Sequence, residues 1–238
     1  MAPSVKLYYF NGTGRGNQIR MALAAGGVPW EDALPSSYPP SPEDKAKWFE
    51  LTGGNTTFSV PILTLDEGTE NKKVYIQSSA ILRKAARMGN LKMTLKDDPD
   101  GDQALYLTDK AIADAEDLRT VSYKGWVIFG ASQEAADKFA KVVFPKHVKN
   151  LERQLVEAGG DFFCGSSTLS IADVALYDAI VWFGKKIISG AEGIEDPCGP
   201  AINAWIERVE SSEGIKAYLE SDQFKNLAMK PSKRVIGH

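Results

Sequence analysis

Lys6-Leu7-Tyr8-Tyr9-Phe10-Asn11-Gly12-Thr13-Gly14-Arg15-Gly16 is an apolar strand running into a polar, glycine-rich loop. Residues 5–10 alternate in part, as a strand does. Beyond the loop, Ile19, Ala22, Leu23 and Gly26 recur at helical spacing, and Gly26-Gly27 supply the stop. Val28-Pro29-Trp30-Glu31 reads as a short, poor strand. Residues 34–42 are rich in Ser and Pro and predict a loop. Residues 43–51 predict a short helix ended by Gly53-Gly54. Residues 60–65 form the next strand and Asp66-Glu67-Gly68 its turn, with 69–72 lengthening the hairpin. A strand over 73–76 leads into a helix over 79–88. The order is strand-helix-strand, a helical segment, then strand-strand-helix.

The composition then changes. Lys96-Asp97-Asp98-Pro99-Asp100-Gly101-Asp102 is polar and turn-forming. No strand pattern follows it. Residues 103–120 are helix-forming. A long amphipathic helix is predicted over 133–157, with Phe139, Val143, Leu151 and Leu155 on one face and a kink at Pro145. Helices follow over 170–188, 199–210 and 213–220. The tail Met229–His238 receives no role. The expected organisation is a small α/β domain over 1–90 (βαβ-α-ββα), a linker over 91–100 and an all-α domain over 101–238.

The balance of residues narrows the function classes. In 238 residues, 43% apolar and 25% charged content is that of a globular protein, and the net charge of −3 supplies no basic field for nucleic acid or acidic membranes. The first residues lack the apolar stretch of a signal peptide, and no run reaches the length of a membrane span. Cys164 and Cys198, with His147 and His238, lack the spacing of a metal site. A reducing cytosol and no metal are expected.

Several residues carry candidate chemistry. Tyr9 sits where a strand meets a loop, the sheet edge at which α/β proteins place ligands; Tyr8 and Tyr9 are equally read as plain strand aromatics. Gly12, Gly14 and Gly16 are spaced GxGxG, a poor match to a dinucleotide loop. Pro61 opens an apolar strand either as a ligand-facing cis proline or as an ordinary trans edge proline. Gln77-Ser78 precede a helix whose free N–H groups suit a carboxylate, with Ser78 as its cap. Ser170-Ile171-Ala172-Asp173 is a structural capping box with Asp in the place of Glu. His147 shares a helical face with Val143 and Leu151 and reads as a hydrogen-bonded core histidine. Cys164, after Phe162-Phe163, reads as buried and inert.

Together these motifs resemble a cytosolic glutathione transferase over residues 5–220. Tyr9-Phe10-Asn11 with Gly14-Arg15 looks like the sigma-class start, in which the tyrosine is catalytic. Val60-Pro61 resembles the family's cis-proline strand. Gln77-Ser78, Ala80-Ile81 and Arg83 are similar to its γ-glutamyl motif, and Thr168 with Ser170 and Ala172-Asp173 to the capping box of its helical domain. The resemblance implies a thioredoxin-like first domain, glutathione as co-substrate and a homodimer. It implies that Tyr9 donates to the glutathione sulfur, aided by Arg15, and that Trp48 meets the glycyl end. Val60, at the Pro61 strand, would pair with the cysteinyl main chain. Gln77 and Ser78 would hold the γ-glutamyl group. Asp117 would reach the neighbouring subunit's glutathione. The activity implied is transfer of glutathione to a small hydrophobic electrophile, of the kind used in cytoplasmic detoxification.

Other readings share these residues. A glutathione-dependent isomerase of a prostaglandin-type substrate would use the same tyrosine, and a crystallin-like ligand carrier would keep the fold. A thioredoxin-like redox enzyme is disfavoured, because the first domain has no cysteine. Thr52 and Ser59 stand where the family often has lysines, which predicts either a weaker hold on the glycyl carboxylate or compensation by another residue. The small Gly12-Thr13 loop predicts a more open acceptor pocket.

Overall fold

A computed structural model of the chain describes residues 3–54, 60–89, 91 and 101–237. Its first half is a four-stranded mixed sheet in the order β2-β1-β3-β4. The strands are β1 (Val5–Tyr8), β2 (Glu31–Ala33), β3 (Ile62–Leu65) and β4 (Lys73–Ile76). β1 runs parallel to β2 and antiparallel to β3, and β3 is antiparallel to β4. β3 lies between two partners and is buried along its whole length, so it reads as a continuous apolar run broken only by Thr64. β2 begins later than its sequence suggests. Pro29 has no N–H to give a ladder, and Trp30 turns its ring to Tyr218, 5.9 Å between centroids.

Helix α1 (Gly14–Ala25) packs with α3 (Ser78–Met88), whose buried face is Ile81, Leu82, Ala85 and Ala86. Helix α2 (Pro42–Leu51) starts on a complete capping box. Ser41 Oγ accepts from the Asp44 N–H at 3.1 Å, and the Asp44 carboxylate accepts from the Ser41 N–H at 3.2 Å. Except for Leu91, the expected linker lies outside the described residues.

The second half is helical. α4 (Asp102–Lys124) packs on α7 (Ile171–Tyr177), and every residue of α7 is buried. α7 passes into a π-helical stretch, Asp178–Lys185, and then α8 (Lys186–Ile188). A helix apolar all round is a central helix, and the others surround it. The kink expected at Pro145 is a π-helical turn over Phe139–Val143, between α5 (Gln133–Lys138) and α6 (Phe144–Ala158). Proline has no N–H to return to the carbonyl four residues back, and the ladder shifts register before it. α9 (Pro200–Ser211), α10 (Glu213–Glu220) and α11 (Asp222–Lys225) complete the set.

The predicted capping box is present. Asp173 accepts from the Ser170 N–H at 2.9 Å, and also from Phe163 N–H and Trp205 Nε1 at 2.9 Å. Burial pushes its carboxyl above the usual range, and the four donors around it, Ser170 Oγ included, oppose that shift. His147 departs from expectation. It is half-buried at the edge of the α6 face and makes no hydrogen bond among the described residues.

Candidate active site

The register of the sheet assembles the site. Tyr8 pairs with Ile62, and Ile62 pairs with Ile76. The residues just outside those positions, Tyr9, Pro61 and Gln77, therefore lie at one sheet edge. The Val60–Pro61 bond is cis. Tyr9, Trp48 and Val60 share one apolar cluster with Tyr8 and Ile62, and Phe10 packs on both Tyr9 and Trp48. Gln77 is exposed with φ of 73° and occupies the N-cap of α3. Ser78 is thus the first helical residue and not the cap. The α3 start has no side-chain cap, which leaves its N–H groups to an incoming carboxylate.

Tyr8 and Tyr9 separate sharply. Tyr8 hydrogen-bonds the Glu67 carboxylate at 2.6 Å and is a structural anchor. Tyr9 is 5% exposed, and its hydroxyl accepts the Arg15 N–H at 2.7 Å. Its own proton finds no acceptor among the described residues. Burial pushes the phenol up to about 12, against the backbone hydrogen bond and the charges of Arg20 and Arg15. Tyr9 therefore stays protonated at neutral pH and is a donor. The glycine loop serves this ring. A Cβ on Gly14 would strike the Tyr9 hydroxyl, and one on Gly16 the ring itself. The GxGxG spacing makes room for an aromatic side chain, which is why it fits a phosphate loop badly.

Residues without a sequence signal hold this arrangement. Arg20 is fully buried. It donates to Asp32 at 2.8 Å and to the carbonyl of Gly12 at 2.7 Å, tying down the loop after Tyr9. The Arg15 guanidinium pairs with Glu116 and lies 5.7 Å from the centre of the Tyr123 ring. Glu116 also takes a hydrogen bond from Arg119 at 2.8 Å. Arg119 pairs with Asp178 at 2.9 Å, both at zero exposure, and Asp178 accepts from Asn17 Nδ2 at 2.8 Å. Asn17 belongs to α1, so this network joins the two halves of the chain. Asp117 points elsewhere. It is on the exposed side of α4, and its neighbour Glu116 is the acid turned toward Arg15. Ser59 is outside the described residues.

Tyr9 lines a cavity of about 480 Å³. Opposite it stand Tyr123, Trp126, Trp182 and Phe183, with Tyr38 and Phe129 at the mouth. Trp126 stacks on Phe183 at 5.6 Å and on Phe129 at 5.4 Å. Such a pocket takes a flat apolar molecule and sets it beside the phenol. The opening expected at Gly12 is filled: Met229, from the tail, bridges to Gly12.

Comparisons with known proteins agree with this fold. Residues 117–222 match the family model described as glutathione S-transferase, C-terminal domain. The chain is 29% identical over 193 residues to the class-mu 28 kDa glutathione S-transferase of Schistosoma japonicum, covering 78% of this chain and 85% of the relative. It is also 29% identical to glutathione S-transferase 3 of Gallus gallus, over 92% of this chain and 86% of the relative. Its structure superposes on the sigma-class enzyme of Fasciola hepatica with a TM-score of 0.71 and 22% identity, covering 97% of this chain and 100% of the other. The chain thus carries a glutathione S-transferase C-terminal domain over residues 117–222 and is similar to glutathione S-transferases along most of its length.

Proposed function

We propose that Tyr9 is the hydrogen-bond donor through which this glutathione transferase activates its co-substrate. The carrying observation is the Tyr9 hydroxyl, buried at the wall of an aromatic cavity with its proton uncommitted. Glutathione supplies a thiol nucleophile, and a free thiol near 8.5 is only a few per cent ionised at pH 7. A phenol held near 12 donates to the sulfur anion in preference to the neutral thiol. Arg15 and Arg20 add positive field from two sides. Lowering the thiol by about two units needs roughly 2.7 kcal/mol, within the reach of one charge-assisted hydrogen bond and that field.

In this reading residues 1–90 hold glutathione. Trp48 meets the glycyl end, Val60 and Pro61 the cysteinyl main chain, and Gln77 and Ser78 the γ-glutamyl carboxylate at the start of α3. The helical residues 101–238 present the electrophile. The chain is sigma-like in its Tyr9-Phe10-Asn11 start and works as a cytoplasmic homodimer, with Asp117 reaching the partner's glutathione. Support for the sigma assignment is the match of motif and fold together, and the exposure of Asp117 suits a residue that faces another subunit.

The test is initial-rate conjugation of glutathione to chlorodinitrobenzene, wild type against Tyr9→Phe. Loss of a preorganised donor predicts about a hundredfold fall in kcat with glutathione affinity nearly unchanged. Equal turnover in the two proteins would remove Tyr9 from the chemistry.

A further inference from the structure

We propose that the C-terminal segment selects acceptors carrying a carboxylate on an apolar body, with Arg234 as the specificity-determining cation. The inference rests on the transferase reading above and adds the substrate class. The segment after α11 returns across the mouth of the cavity and is stitched down at both ends. The Met229 N–H donates to the Asn11 carbonyl at 3.0 Å, and the Thr13 N–H donates to the Met229 carbonyl at 3.1 Å. At the far end Gln133 Nε2 donates to the Ile236 carbonyl at 3.0 Å, and Val235 and Ile236 are buried. Gly12 is what lets it pass, since a Cβ there would meet the Met229 carbonyl oxygen. The strap is therefore a fixed part of the wall.

Its charge is one-sided. Among the described residues no carboxylate lines the cavity, and both cations that do, Lys230 and Arg234, come from the strap. Lys230 is committed elsewhere. Its ammonium donates to the Lys225 carbonyl at 2.6 Å and lies 5.1 Å from the centre of the Phe224 ring. The Arg234 guanidinium has no ion-pair or hydrogen-bond partner among the described residues. A planar guanidinium binds a carboxylate through two parallel N–H donors, a geometry an ammonium lacks. A cation at the rim of an otherwise aromatic slot fits an amphipathic anion, apolar body inward and acid outward. Neutral electrophiles enter the same slot and ignore the rim.

The experiment measures KM at saturating glutathione for chlorodinitrobenzene and for its carboxylated analogue chlorodinitrobenzoate, in wild type, Arg234→Gln and Arg234→Lys. Because Arg234 is exposed, water and salt screen the pair, and the expected rise in KM for the benzoate in Arg234→Gln is about fivefold. KM for the neutral probe is unchanged, Arg234→Lys recovers part of the loss, and high salt erases the difference. Equal changes for both probes, or none, overturn the assignment. Should wild type conjugate neither probe, the transferase reading fails by itself. The two chemically prepared conjugates then decide the rim by calorimetry: weaker binding of the acidic conjugate alone in Arg234→Gln upholds Arg234, and equal binding overturns it.

Discussion

Two walls meet at Tyr9. On the sheet side, Tyr9, Pro61 and Gln77 each stand one residue outside a strand, and the hydrogen-bond register alone brings them together. On the helical side, Glu116, Arg119 and Asp178 come from within long helical segments and are placed by packing. The sheet edge offers groups to a ligand: the Tyr9 proton, the exposed Gln77 and the uncapped start of α3. The core of the helical wall commits its charged groups internally, in a chain from Arg15 through Glu116 and Arg119 to Asp178 and Asn17, and only the strap brings the uncommitted Arg234 to the rim. In the proposed reading one wall binds, and the other keeps the first in position. A fold can vary this wall for new acceptors at its apolar residues and at the strap, since Glu116, Arg119 and Asp178 are already committed to each other.

The largest effect that would break this division is Asp178→Ala. It leaves the Arg119 guanidinium buried with less compensation and cuts the tie to Asn17 between the halves. Loss of about 3–5 kcal/mol is expected in urea unfolding of the full chain. A loss below about 1 kcal/mol would show that the network is not what joins the walls.

A smaller change sharpens the boundary. Arg15→Gln removes a positive charge felt at Tyr9 but keeps the residue 15 N–H that Tyr9 accepts. Losing a cation disfavours the thiolate, so the acid limb of the pH–rate profile should move up, by about half a unit to one unit. At neutral pH that is a loss of rate of about 1.5- to threefold, well short of the loss in Tyr9→Phe. An unmoved limb would assign the residue 15 contribution to its backbone alone.

The contrast also explains what could be read from the chain. Strand order, the Pro61 strand, the β4–α3 junction and the Ser170–Asp173 box are local patterns, and each carries its spacing in sequence. The positions of Tyr9, Trp48, Val60, Gln77 and Ser78 are legible because they sit on such patterns. Glu116, Arg119 and Asp178 were not. A charged residue inside a helix looks solvated until packing shows its partner, and here the Arg119 and Asp178 partners lie 59 residues apart. The reason for Gly14 and Gly16 is likewise not local, because it is the Tyr9 ring folded back on them. The tail was silent, since its role depends on a bridge from Met229 to Gly12 across nearly the whole chain. The β2 strand begins later than expected because Pro29 has no donor to give a ladder, and Ser78 lies inside the helix it was expected to cap.

The central claim is that Tyr9 acts by donating to the sulfur anion. Its most direct test is ultraviolet titration of the thiolate in the glutathione complex, wild type against Tyr9→Phe. The account predicts an apparent thiol pKa about two units below the free value of roughly 8.5 in wild type. It predicts a return most of the way to that value in the variant. The same depressed pKa in both proteins would contradict it.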